Sequence, residues 1–188
     1  LYDSNVWCEL EYLIEHPLLF KKYDGLRKLK VKFEDGKEHS ARVEFPKTAD
    51  LSSHLNKVKI IITLNFSYYH ENKKEFSPIT GKTPEDSKEA ILLHELQHVL
   101  QAAHNRSAGI SRSEAIRKGT TRINSLRNKR ISESINDSEL KELVDYESLK
   151  ESLLYDYFYY NDIGEKEARL VVKEWIESKG FKYLDPLT

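Results

Sequence analysis

The chain has 188 residues, 39% of them hydrophobic and 32% charged, and a formal net charge of -1. That length buries one sizeable core, so a single domain over residues 1–188 is expected, with a sheet and one long helix in 1–104 and a helical part in 105–188. The near-zero charge argues against global attraction to nucleic acid or anionic membranes, and no run reaches the ~18 consecutive apolar residues of a membrane span. The lone cysteine, Cys8, excludes an intramolecular disulfide and fits a reducing, cytoplasmic setting. Leu1–Leu10 lacks the basic and apolar regions of a signal peptide. Methionine is absent even at position 1, as expected of a piece cut from a longer protein.

Taken in chain order, Ser4 can cap a first helix in which Val6, Leu10, Leu13 and Ile14 recur at helical spacing, ending near Pro17. Leu18–Tyr23 adds one more turn before Asp24-Gly25. Two alternating runs follow, Leu29–Phe33 and Ala41–Phe45, and Asp35-Gly36 between them favours a hairpin-type turn. Val58–Leu64 is the most apolar strand and the expected centre of the sheet. Ser67–Thr83 reads as a loop, with Ser77-Pro78 and Gly81 as breakers. Thr83 caps the next helix and Pro84 takes its first position. The expected class is α+β: a short, mostly antiparallel sheet packed on that helix, then a helical C-terminal half. Residues 112–130 hold seven Lys/Arg against Glu114 alone, and residues 133–151 hold seven acids against Lys141 and Lys150. The basic run is either a phosphate-binding face or a solvated helix partly neutralised by its acidic neighbour, the commoner case. Tyr155, Tyr157, Phe158, Tyr159 and Tyr160 form an aromatic cluster of the kind found in cores and groove walls. A last helix runs from about Gly164 to Ser178 and is stopped by Gly180.

The helix after Pro84 carries His94-Glu95-Leu96-Gln97-His98, the HExxH pattern of zinc hydrolases. Histidines four apart project from one face, so both imidazoles can reach one metal ion, and Glu95 points to where a metal-activated water would sit. Zinc lowers the pKa of such a water to ~7, and a carboxylate within reach can take its proton. Leu92, Leu93, Leu96, Val99 and Leu100 give the helix a broad apolar face, so this polar trio belongs to a buried element. Buried His-Glu-His without a metal would leave costly unpaired polar groups.

A catalytic zinc usually takes three protein ligands and leaves a position for water. His104, six residues after His98, has the spacing of the metzincins. Those proteins need a glycine to turn the chain back and a methionine under the metal. Here Gln101-Ala102-Ala103 favours continued helix and no methionine exists. On an unbroken helix His104 lies roughly 240° net from His98 and faces away. The other candidates are Glu165 and Glu167 in Gly164-Glu165-Lys166-Glu167-Ala168-Arg169, the gluzincin arrangement in which a second helix brings a glutamate. They lie about 200° apart around a helix, so only one faces the metal. Glu165 is preferred, because Ala168 on its face lets the helices approach and Arg169 can brace a carboxylate. Glu167 then serves as a surface carboxylate or as a partner for a zinc-bound histidine.

Leu92–Gln101, reading LLHELQHVLQ, and Gly164–Arg169, reading GEKEAR, together resemble the metallopeptidase module among the large polyvalent protein-associated domains of phages and other mobile elements. The segment Leu13–Tyr23 is similar to the opening of that family, so the resemblance spans nearly the whole chain. It departs after the HExxH helix, where Ala102–Ser113 and the charged segment replace a glycine-rich stretch. The resemblance implies a zinc peptidase fold and metal site.

The expected function is therefore gluzincin-type peptide hydrolysis of a peptide or protein substrate. His94, His98 and Glu165 would hold Zn2+, and Glu95 would act as general base. Tyr159 or Tyr160 could assist the oxyanion, and Val58–Leu64 could hold substrate as an edge strand. A reading from another class is a nucleic-acid- or protein-binding module that uses the 112–130 face and keeps a structural or vestigial zinc site. Glu95 separates the two, because a closed structural site has four protein ligands and no use for a base. A zinc hydrolase acting on a non-peptide amide is a third.

Overall fold

The computed structural model describes residues 5–37, 40–64, 84–106, 111–149, 151–178 and 180. The expected loop 67–83 and the caps at Ser4 and Thr83 lie outside them. The class is α+β: a small mixed sheet of four strands and a mostly helical remainder. Two compact units are defined, residues 1–108 with 167–186, and residues 109–166.

In the first unit the strands are β1 (Trp7–Glu9), β2 (Lys30–Asp35), β3 (Ser40–Glu44) and β4 (Lys59–Leu64), in the order β1-β2-β4-β3. The first helix expected from the sequence is not formed. Asn5 has a left-handed φ of 65°, and Trp7–Glu9 pairs antiparallel with Lys30–Lys32. A 3₁₀ turn, Leu10–Tyr12, follows and buries Leu10 completely. The helical spacing of Val6, Leu10 and Leu13 was overridden by strand pairing, which satisfies these backbone groups across the sheet. Helix α1 (Pro17–Lys22) forms with Pro17 at its first position, and the His16 ring nitrogen accepts from the Leu19 amide at 3.2 Å.

The hairpin expected at Asp35-Gly36 is also absent. β4 lies between β2 and β3, parallel to the first and antiparallel to the second, with Phe33 opposite Ile62 and Val43 opposite Ile60. Gly36 donates its amide to the Leu64 carbonyl at 2.9 Å, which ties the end of β2 to β4. Burial explains the order. Ile60, Ile62 and Leu64 are fully buried and Ile61 nearly so, so this strand takes the centre, where both faces are covered. An interior strand has no open edge, so Val58–Leu64 does not serve for strand addition. Among the described residues the sheet ends at β1 and β3 instead.

Helix α2 (Pro84–Ala103) packs against β3 and β4. Leu92, Leu96 and Val99 enter the same core as Leu29, Val31, Phe33, Ile60, Ile62 and Leu64. Each such side chain removed from water contributes about 1.5–3 kcal/mol.

In the second unit the helices are α3 (Arg112–Ile131), α4 (Asp137–Ser148) and α5 (Glu151–Asn161). Ser111 caps α3 through the Glu114 amide, and Asn136 with Glu139 forms a reciprocal capping box on α4. Ile123, Leu126 and Leu143 make the core, with Tyr146, Leu154 and Phe158 packed on it. Gly119 is required here: a Cβ would overlap the Phe158 ring, so α5 rests directly on the α3 backbone. The side chain of Tyr155 lies outside the described residues; Tyr146, Tyr157 and Phe158 form the ring contacts of this core. The remaining helix, α6 (Ile163–Ser178), has its first turn counted with this unit and the rest of its length with the first.

Candidate metal centre

Helix α2 has two differently used faces. Leu92, Leu96 and Val99 face the sheet core, while Ala90 packs with Val172, Ile176 and Trp175 of α6. The Trp175 indole N–H donates to Glu89 at 3.0 Å, which fixes how α6 lies along α2. On α6 the buried side chains recur at 165, 168, 172 and 176, spacings of three, four and four that trace one helical stripe. Glu165 heads that stripe and Ala168 is fully buried in it.

His94 and His98 sit one turn apart on α2, with rings nearly perpendicular and Nε2 atoms 3.1 Å apart. His94, His98 and Glu165 each offer one ligand atom, all within 4.8 Å of one another. His98 and Glu165 are buried, and Glu95 is 9% exposed. Two ligands ~2.05 Å from a tetrahedral ion would lie about 3.3 Å apart, close to the observed nitrogen separation. Two imidazoles and a carboxylate also form a borderline donor set that suits zinc. The residues present therefore fit a divalent metal.

His98 Nδ1 lies 2.9 Å from Gln101 Oε1. The Gln101 amide nitrogen donates to Glu167 Oε2 at 2.9 Å, and the other Glu167 oxygen is paired with Arg106. The helical phase thus divides the two glutamates of Gly164–Arg169: Glu165 joins the histidines, and Glu167 supports His98 through Gln101. The roles of Gln101 and Arg106 are not evident from the sequence. A sequence signal existed only for Gln101, three residues after His98 and so on its face.

Arg106 arrives by way of the α2 terminus. Asn105 is left-handed (φ 54°), its amide donates to Ala102 at 3.0 Å, and the Arg106 amide donates to Gln101 at 2.8 Å. This six-to-one and five-to-two pairing is a Schellman turn, with asparagine where glycine is usual. It folds Arg106 back beside Gln101. His104, at the cap, bonds the Tyr23 hydroxyl at 2.7 Å, and the metal-competent group among the described residues does not include it.

Tyr159 and Tyr160 are half-buried on α5 with ring centroids 5.2 Å apart. In the charged segment four cations of α3 meet acids of α4, while Arg117 and Lys118 pair with Glu114 of their own helix. Arg122 makes two bonds to Glu142 at 3.1 and 2.7 Å, Arg127 and Arg130 both reach Glu147 at 3.1 Å, and Lys129 pairs with Glu139. Each carboxyl is held below its ordinary value, first by the hydrogen bond from its cation: Arg122 for Glu142, Arg127 for Glu147, Lys129 for Glu139. Among the described residues no helix is long and apolar enough to cross a membrane.

No protein-family model, curated protein or solved structure matches the chain.

Proposed function

We propose that the chain is a zinc-dependent peptidase module of the gluzincin type, like the polyvalent-protein metallopeptidases its motifs resemble. The observation that carries this reading is the convergence of His94, His98 and Glu165. In it α2 packs on the sheet through one face and presents its metal-binding face to α6. A zinc ion held by these three residues would supply an acidified water and polarise the substrate carbonyl.

The remaining chemistry belongs to the chain's own residues. Glu95, next to His94 and largely withdrawn from solvent, takes the proton of the attacking water and returns it to the leaving amine. The low-dielectric surroundings make each fixed charge count for more than it would in water. β3, which ends the sheet among the described residues and packs against α2, would offer a backbone edge to an extended peptide. The binding-module reading loses ground, because four of the seven basic residues of 112–130 are already paired with α4.

The test is metal content and peptide turnover of matched wild type and Glu95→Gln. Wild type should carry one zinc and cleave. The variant should keep the zinc, since the amide is nearly isosteric, and lose about 10²–10⁴-fold in rate. Equal turnover by the variant would remove Glu95 as base. A zinc-loaded wild type that cleaves no peptide would favour a non-peptide amide substrate or a binding role.

A further inference from the structure

We infer that Gln101, Glu167 and Arg106 form a positioning relay that sets the tautomer of His98 and presents its Nε2 lone pair to the metal site. The relay is read from hydrogen-bond chemistry, and its use in metal binding rests on the function proposed above.

The direction of each relay bond follows from what its groups can do. Arg106 only donates, and it holds one oxygen of Glu167. The other Glu167 oxygen only accepts, so the Gln101 group facing it at 2.9 Å must be the amide N–H. The amide carbonyl is thereby turned to His98 Nδ1, also at 2.9 Å. A carbonyl only accepts, so Nδ1 carries the hydrogen and the neutral ring keeps its lone pair on Nε2. That atom faces His94 Nε2 at 3.1 Å. Gln101 is 1% exposed, so water does not compete for its amide. Outer partners of this kind fix a ligating ring and tune its basicity.

Each member is also held in place. The α2 Schellman turn returns Arg106 to Gln101, and the α6 stripe docks Glu167 along α2. Gln101 and Glu167 are therefore positioning residues, one on each of two packed helices.

Two measurements on the full chain decide this. The first is the imidazole nitrogen NMR spectrum of metal-free protein at mildly alkaline pH. Wild type should show His98 protonated at Nδ1, and Gln101→Leu should show a mixed or reversed tautomer. A wild-type His98 protonated at Nε2 would overturn the relay. The second is zinc affinity by competition with a chromophoric chelator. Gln101→Leu should bind about 10–100-fold more weakly.

The exchange variant guards against a mere folding defect. Gln101→Glu alone places two carboxylates together and should weaken zinc. Gln101→Glu with Glu167→Gln restores acceptor and donor in exchanged order and should recover both tautomer and affinity. Failure of the double variant to recover either, with its fold intact by circular dichroism, would refute the relay. Should wild type bind no zinc at all, the metal reading falls, and the tautomer spectrum still decides the relay.

Discussion

Helices α2 and α3 are each twenty residues long and end in the same way, yet they use polar residues oppositely. Both stop in a Schellman turn with a non-glycine left-handed residue, Asn105 after α2 and Glu133 (φ 55°) after α3. In α2 the polar groups Glu95, His98 and Gln101 are buried. In α3 Arg122, Arg127, Lys129 and Arg130 stand 41–50% exposed and meet acids of α4. A buried polar group must find a partner in one geometry, because an unmet one costs about 1–3 kcal/mol. An exposed ion pair exchanges freely with water and contributes little. Polar groups on α2 are therefore held in one geometry, whereas those on α3 remain in water and add only modest support.

The largest effect should come from the α2 and α6 donors. His94→Ala or Glu165→Ala should weaken zinc by more than the ~10–100-fold expected of an outer partner, whereas His104→Ala should leave it unchanged. Chelator competition reads this directly. Equal loss from His104→Ala would break the comparison, because His104 would then belong to the site.

Next come packing changes in the core of the second unit, which should cost stability. Leu143→Ala should destabilise by about 2–5 kcal/mol, the range for a fully buried leucine. Gly119→Ala should also destabilise, by about 1–3 kcal/mol from overpacking, although alanine is ~1 kcal/mol the better helix former. Urea unfolding gives the sign. A more stable Gly119→Ala would mean that Phe158 does not lie against the α3 backbone.

The two helix ends offer a finer test. Glutamate in the left-handed region is strained by about 1–2 kcal/mol and asparagine by less. Glu133→Gly should therefore raise the melting temperature more than Asn105→Gly does.

The smallest effect concerns the α3–α4 pairs. Glu139, Glu142 and Glu147 have folded-state pKa values below their ordinary ones. Their contribution is thus complete above the unfolded carboxylate pKa of ~4.3 and lost as pH falls below it through the depressed folded values. Urea melts between about pH 6 and pH 3 should show this loss, reduced in Arg122→Ala and diminished by salt. A salt-independent loss would place its origin elsewhere.

Much of the candidate site was legible because helical phase is local. Two histidines four apart share a face wherever the helix goes, and two glutamates two apart cannot. That arithmetic separates Glu165 from Glu167 and turns His104 away from the pair. The two alternating runs located β2 and β3, and the apolar run located β4, each within two residues. Strand order was not legible. Asp35-Gly36 resembles a hairpin turn at short range, but three buried isoleucines in β4 compete for the centre of the sheet and separate its neighbours. Trp7–Glu9 became a strand because β2 offered an unpaired edge, a partner that no local pattern records. Gln101, Glu167 and Arg106 meet only through the docking of α6 on α2 and the turn at Asn105. The sequence by itself determined periodicity and facing, which depend on neighbours a turn away. The tertiary structure decided which faces meet, because burial is settled among all segments at once.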